Sequence, residues 1–393
     1  MRYILPVIVL SQFLCTSLWF AGNAVVLDIV NAHQLDEHFL AHLTSAIQFG
    51  FISGTFVFAL LSISDKYSPS LVFFVSAILA ALFNLGITFD SIDATQIILF
   101  RFLTGFFLAG IYPVGMKIAS DYYQSGLGKS LGFLVGALVL GTAFPHLLKD
   151  SLIGFPWQYI LYSTSFLSII GGLAIFLLVP NGPYRKLGQK IQLTEFMTGF
   201  KNPAFRAAAF GYFGHMWELY TFWAFVPAIL YVHKAHSGVD ISVSFWSFLI
   251  IASGSIACVM SGILSQYLGA KKVATWALFL SFICCVTSPL FLLTDSTTLL
   301  LVFLFIWGLV VIADSPLFST LVAQSAPEES RGTSLTIVNC IGFAITIVSI
   351  QFINLLMDYI IQYPSYHEVG PQYIYVVLGM GPAIGLVGLL RKQ

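Results

Sequence analysis

The residues best placed to do chemistry are His215 and Glu218, in the stretch Gly214-His215-Met216-Trp217-Glu218-Leu219-Tyr220. They stand at i and i+3, neighbours on one helix face, and Gly211 and Phe222 extend the stripe. Both lie near the middle of an apolar run from about Pro203 to Tyr231, long enough to cross a bilayer. A charge at the centre of a spanning helix costs about 2.5 to 3.5 kcal/mol on insertion scales, so such groups face a protein interior or a watery cavity and pair there. Low dielectric favours the protonated carboxyl and histidine titrates near neutrality, so the two together can load, pass and release a proton. The stripe is therefore expected to face a central cavity. The competing reading is structural, a His215 to Glu218 hydrogen bond tying this helix to a neighbour.

A second acid stands at Asp314, seven residues after Trp307 and directly before Ser315-Pro316. Proline leaves a carbonyl without its usual donor, a local polarity suited to a cavity wall or a hinge. Asp314 then either joins Glu218 in handling protons or pairs with Arg331 or Lys272 as a closing latch. Earlier in the chain, Gln12, Thr16, Trp19 and Asn23 fall at i, i+4, i+7 and i+11, and Arg101, Gly105, Leu108 and Tyr112 repeat that spacing. Lipid-facing stripes should be aliphatic, so both are placed inside. They either bond across helices, worth about 0.6 to 2 kcal/mol per bond, or line a binding site. Arg101 can hold an anionic group or snorkel to headgroups. Trp217 and Tyr220, flanking Glu218, complete the candidate cavity set.

The elements that must position these residues follow from composition. The 393 residues are 58% hydrophobic and 9% charged, with mean hydropathy +0.91, against about 25% charged in soluble domains. This is a polytopic membrane protein, and with zero net charge and no basic tract nothing suggests nucleic acid. Cys15, Cys258, Cys284, Cys285 and Cys340 lie in apolar runs without CxxC spacing and read as small core residues. Gly128-Lys129-Ser130 has Tyr123 where a P-loop needs its first glycine, and no HExxH, GxSxG or clustered metal ligands occur. No enzyme activity, cofactor or metal is expected. His33, His38, His42, His233, His236 and His367 read as solvated loop residues, Asp28 as a solvated rim acid, and His146 beside Pro145 is ambiguous. The apolar run from Tyr3 to about Val30 is too long for a signal-peptide core and reads as a retained first span.

Twelve spans are predicted, at about 4–30, 39–63, 70–89, 95–118, 128–148, 157–180, 204–232, 242–266, 273–293, 298–322, 333–357 and 373–390. The polar interruption 181–202 is a central loop dividing an N-terminal six-helix bundle, 1–180, from a C-terminal one, 203–393. With the N-terminus inside, Arg2, Lys66, Lys117, Lys129, Arg185, Lys186, Lys190, Lys201, Arg206, Lys271, Lys272, Arg331, Arg391 and Lys392 fall on the cytoplasmic side. Only Arg101, Lys149 and Lys234 fall towards the other side, where Asp36, Glu37, Asp90, Asp93, Asp150, Asp240 and Glu368 collect. Both termini are then cytoplasmic by the positive-inside rule, in a multi-pass protein of the cell inner (cytoplasmic) membrane.

The halves also repeat. Arg101 to Gly105 with Pro113 in span four lines up with Leu304 to Gly308 and Pro316 in span ten, and Ser130-Leu131 matches Ser334-Leu335. Ser64-Asp65-Lys66-Tyr67 corresponds to Ser265-Gln266-Tyr267-Leu268. Duplicated halves mark secondary transporters, whose binding site lies between them near the midplane. The stretch Gly262 to Lys272 resembles the loop motif of the major facilitator superfamily, G-x-x-x-D-x-x-G-x-(R/K)-(R/K), with Gln266 replacing the acid. Asp65-Lys66 is the matching piece of the first copy, although Leu61 and Ser68 replace its glycines and Pro69-Ser70 its basic pair. Arg101 with Gly105 resembles the family's span-four motif, R-x-x-x-G.

This resemblance implies an all-α fold of two pseudo-symmetric six-helix bundles, with spans one, four, seven and ten lining a central cavity, and rocking alternating access. Asp65, Lys66, Gln266, Lys271, Lys272 and Arg331 become candidate gating residues. Gln12, Trp19, Asn23, Arg101, Tyr112, His215, Trp217, Tyr220 and Trp307 become cavity or substrate residues, and Glu218 and Asp314 the proton-coupling acids. The expected partners are a small-molecule substrate, protons and the lipid bilayer, with a monomer as working unit. Arg101 suits a small polar or anionic organic solute or a metal chelate. The alternative is proton-driven efflux of amphipathic cations through Asp28, Glu218 and Asp314, helped by aromatic walls. A membrane sensor or scaffold would instead bind without net flux.

Overall fold

The computed structural model describes residues 3–35, 39–123, 127–185, 199–326, 331–362 and 370–391. Every regular element among them is a helix. Span one comprises Ile4–Thr16, Ala21–Ala24 and Val26–His33, and span two Phe39–Leu60, followed by the short turn Ile63–Lys66. Spans three to six are Pro69–Gly86, Ala94–Leu108 with Tyr112–Tyr122, Leu127–Ser151 and Gln158–Leu178. Spans seven to nine are Pro203–Ser237, Val243–Leu268 and Ala270–Leu292. Span ten joins Thr297–Val310 to Ser315–Ser325, span eleven is Arg331–Gln362, and span twelve combines Gly370–Tyr373, a tighter turn Ile374–Gly379 and Met380–Leu390. The fold is all-α, and the order of its helices is consistent with the twelve-span arrangement. Of the central loop, Lys186 and Lys190 lie outside the described residues, as do Arg2, Lys392, Asp36, Glu37, Glu368, His38 and His367.

Local chemistry sets many helix starts. Asp93 and Gln96 form a reciprocal capping box ahead of span four. Ser242 and Ser296 accept from the third backbone N–H of spans eight and ten, and Asn202 caps span seven. Gly238, at φ +67°, ends span seven in the left-handed conformation that glycine adopts without a Cβ penalty.

Nine helices among the described residues are long and apolar enough to cross a membrane. Span seven is not one of them despite its 35 residues. Its His215, Glu218 and interspersed Tyr and Trp groups lower its hydropathy, and the same residues make it the candidate functional helix.

Spans four and ten break just before Pro113 and Pro316, yet each still crosses as a single passage of 29 residues. Span one breaks at Ser17 to Phe20 with neither proline nor glycine to cause it. Spans two and four touch backbone to backbone, since a Cβ at Gly50 or Gly105 would collide with the carbonyl of Phe102 or Ile47. This close approach is what small residues allow in a bundle.

The first six spans meet the last six chiefly where span five packs on span eight and span two on span eleven. Ser242 donates to Asp150, Gln351 Nε2 donates to Ser45 Oγ at 2.8 Å, and Cys340 Sγ lies 3.9 Å from the carbonyl of Ile52. These bonds run from mid-bundle towards the end that carries Asp150.

Candidate functional site

Glu218 is buried, and one carboxylate oxygen accepts from three donors: Ser281 Oγ at 2.5 Å, Trp307 Nε1 at 2.6 Å and Cys285 Sγ at 3.2 Å. Two of those donors sit on span nine and one on span ten. His215 makes a different attachment: its Nδ1 lies 2.8 Å from Asp314 Oδ1, both side chains 1% exposed. The approach is of ion-pair length but off the angle of a directed hydrogen bond, and Nε2 has no protein partner. His215 and Glu218 thus each find their own partner, and the hydrogen bond between them that their spacing allowed does not form. The stripe containing them also turns away from the first half. Phe222 packs on Trp307 with ring centroids 4.6 Å apart, and a Cβ at Gly211 would strike Phe318, so this face is pressed into span ten.

Asp314 reaches His215 because it stands at the break of span ten. It occupies the N-cap of Ser315–Ser325 without capping it, which leaves the carboxylate free. Asp314 is buried beside His215 and Lys272 is exposed, so among the described residues Asp314 pairs with His215 and not with Lys272; the Arg331 side chain lies outside the described residues.

In the first half, Arg101 is completely buried and does not snorkel. Its Nη1 donates to the Leu18 carbonyl at 3.2 Å and its Nη2 to the Trp19 carbonyl at 2.6 Å. Both carbonyls belong to the broken stretch of span one, where the helical ladder is interrupted, so the guanidinium supplies donors the backbone lacks. Nε has no protein partner, and no carboxylate pairs with Arg101 among the described residues. Asn23 Nδ2 donates to Thr44 Oγ1 at 2.7 Å. Gln48, one turn beyond Thr44, is buried with both amide atoms unpartnered, and so is Gln12, which faces Gly115 of span four. With no protein partner taken, these amides leave polar groups on the inner wall of the first half.

Between these clusters, aromatic rings from both halves meet. Trp19 lies 5.8 Å from Tyr220 and 5.8 Å from Phe343, both at 27°, and 4.8 Å from Phe51. Phe20 approaches Tyr220 and Trp223 at 6.4 Å each. The face of span seven that meets span one is therefore the one carrying Tyr220 and Trp223. It is continuous with Met216, whose carbonyl accepts from Thr346 of span eleven at 3.1 Å. Tyr112 begins the second segment of span four and is partly exposed. Trp217 points elsewhere, donating to the Val377 carbonyl of span twelve at 3.2 Å.

The candidate gating residues also separate. Asp65 pairs with Lys117 of span four at 2.9 Å, and Lys117 lies 3.9 Å from Asp121. Arg185 donates to the carbonyls of Asp65 at 2.8 Å and Tyr67 at 2.7 Å. Lys66, Gln266, Lys271 and Lys272 are exposed. Asp28 is not a lone rim acid, because Lys149 sits 2.7 Å from it, and His146 one turn away is buried. Sequence reasoning missed Ser281, Cys285, Phe51, Phe343, Gln48 and the pairing roles of Lys117 and Arg185. Only Gln48 carried a usable signal, a lone amide inside an apolar span.

The family model described as Major Facilitator Superfamily matches residues 8–350. No curated protein matches the sequence significantly. Among solved structures, a bacterial homologue of the human lysosomal transporter Spinster, inward-facing and unoccupied, is similar with a TM-score of 0.71 and 17% identity over 99% of this chain and 94% of that one. Its occupied form gives 0.66 and 16% over the same shares. The human organic anion transporter MFSD10 gives 0.72 and 13% over 99% of both chains. At these identities the likeness is one of fold.

Proposed function

The chain belongs to the major facilitator superfamily, and we propose that it is a proton-coupled secondary transporter that moves a small organic anion by alternating access. The observation that carries this reading is the division of buried charge. The first half holds a completely buried arginine that no carboxylate neutralises among the described residues, and the second holds two buried carboxyls, Glu218 and Asp314. An unpaired buried charge is costly, and an anionic substrate group at Arg101 would offset that cost while bound. A small polar or anionic organic solute, or a carboxylate-bearing metal chelate, has this chemistry.

In this mechanism Arg101, Asn23 and Gln12 hold the solute from the side of the first half. The rings of Trp19, Tyr220 and Phe343 stand between Gln12 and the Asp150 end. Glu218 is the proton carrier. Its three donors come from spans nine and ten, so movements of those spans change what the carboxyl is bonded to. Asp314 and His215 form a second buried acid–imidazole pair, joining spans ten and seven. Alternating access requires the two bundles, 1–180 and 203–393, to rock about the contacts of span five with eight and span two with eleven. The distribution of Lys and Arg supports cytoplasmic termini in a cell inner membrane.

Efflux of amphipathic cations is the weaker reading, because Glu218 already accepts from three donors, Asp314 lies against His215 and Asp28 is paired with Lys149. The test is proton movement in proteoliposomes under an imposed pH gradient, with pools of organic anions, iron chelates and lipophilic cations added in turn to wild type and Glu218→Gln. A Glu218-dependent flux with the anion or chelate pool is expected. A flux with lipophilic cations alone would sink the anion assignment, and binding with no flux from any pool would point to a sensor.

A further inference from the structure

One sizeable cavity lies away from the charged clusters. A groove of about 630 Å³ opens on the flank of the bundle, with span one as its floor and spans five and eight as its walls. That is within the roughly 300–1,000 Å³ of small-ligand sites. Its lining is apolar, from Leu10 and Phe13 through Phe133 and Leu140 to Val259 and Met260, with Ser255 as the one hydroxyl. The walls belong to helices long and apolar enough to cross the membrane, Ser130–Ser151 and Val243–Leu268, and the lining falls well inside them.

Three observations identify the occupant. The groove lies at hydrocarbon depth, where water and polar solutes are excluded and only apolar chains are available. It is a cleft rather than a convex lipid-facing surface, so an apolar chain entering it gains contacts on three sides. It also follows the seam of spans five and eight, the helices through which the two halves meet, and Gly136 holds that seam close: a Cβ there would lie 3.1 Å from the Ser255 carbonyl. We propose that this groove binds one acyl chain of a bilayer phospholipid, which packs against both halves as a resident part of their interface. The proposal does not depend on the transport reading.

The test uses the full chain in nanodiscs of phosphatidylethanolamine and phosphatidylglycerol, doped with increasing mole fractions of a phospholipid bearing a diazirine on its acyl chain. Photolabelled residues are mapped by mass spectrometry. Leu177 on span six, 71% exposed, reports ordinary annular lipid. Labelling at Phe133 and Val259 is expected to saturate at a mole fraction at least tenfold below that at Leu177. Val259→Trp, which fills the groove, is expected to reduce labelling at Phe133 at least tenfold and leave Leu177 unchanged. Groove labelling that rises in parallel with Leu177 would overturn the proposal, and this comparison within wild type decides the matter even where Val259→Trp fails to fold.

Discussion

Arg101 Nη2 lies 2.6 Å from the carbonyl oxygen of Trp19, so the guanidinium of span four grips the backbone of the very residue whose ring stacks on Tyr220 and Phe343 of the other half. A solute group bound at Arg101 would thereby act within one bond of the ring contact that closes the seam. On the proposed reading, binding at Arg101 and the ring contact are joined through this one hydrogen bond.

Arg101→Lys keeps a charge but loses the fork that reaches two carbonyls at once. It is expected to fold with lowered stability, since hydrogen bonds from charged groups contribute about 1.5–3 kcal/mol each, and to raise the KM for the transported anion at least tenfold. Arg101→Gln should abolish anion-dependent flux. Unchanged uptake by Arg101→Gln would remove Arg101 from the binding site.

Glu218→Gln retains an oxygen that can accept from Ser281, Cys285 and Trp307, so folding should survive. Accumulation against a gradient is expected to fall at least tenfold while exchange of labelled for unlabelled solute persists. Measuring both in the same proteoliposomes separates coupling from binding, and full accumulation by the variant would rule Glu218 out as carrier.

Asp150 and Ser242 join the halves at one end of the bundle. Asp150→Cys combined with Ser242→Cys, oxidised to a disulfide, is expected to stop transport, and reduction to restore it. Transport that continued with the bridge complete would mean that this end does not need to open.

Trp19→Ala removes ring pairs worth about 0.5–1.5 kcal/mol each beyond their buried area. In that background a cysteine replacing Gln12, which lies on the far side of the rings from Asp150, should react several-fold faster with a membrane-impermeant thiol reagent added from the Asp150 side. An unchanged rate would show that the rings are packing rather than a barrier.

His215 and Asp314 should be energetically coupled. His215→Ala leaves a buried carboxyl without its partner, expected to cost about 3–5 kcal/mol, and Asp314→Asn made in addition should recover part of the loss. Unfolding of the two single variants and the double variant in the same detergent gives the coupling energy, and simple additivity would show that the 2.8 Å approach carries little.

The spans were readable because hydrocarbon imposes length and apolarity on any crossing helix, and the breaks of spans four and ten because Pro113 and Pro316 mark them. The break of span one had no such marker, since Ser17 to Phe20 contains neither proline nor glycine and is held by a residue 83 positions away. The importance of Glu218 was visible as a lone charge, but its partners were not. Ser281 and Cys285 lie 63 and 67 positions along the chain and are ordinary residues for an apolar helix. The orientation of span seven was undecidable from periodicity, because the stripe through His215 and Glu218 and the adjacent one through Met216, Tyr220 and Trp223 are both rich in large side chains. Phe51 and Phe343 were hidden among 37 phenylalanines, most of which also sit in apolar runs.

Span seven, too weakly apolar to qualify alongside nine other helices, bears on how the protein is made. Every group that satisfies Glu218 and His215 lies further along the chain, in spans nine and ten. A ribosome therefore delivers the polar helix to the membrane before its partners exist. Until Asp314 has been synthesised, span seven must shelter against the finished first half or in the insertion machinery, which makes assembly of the second half an all-or-nothing event that waits for span ten.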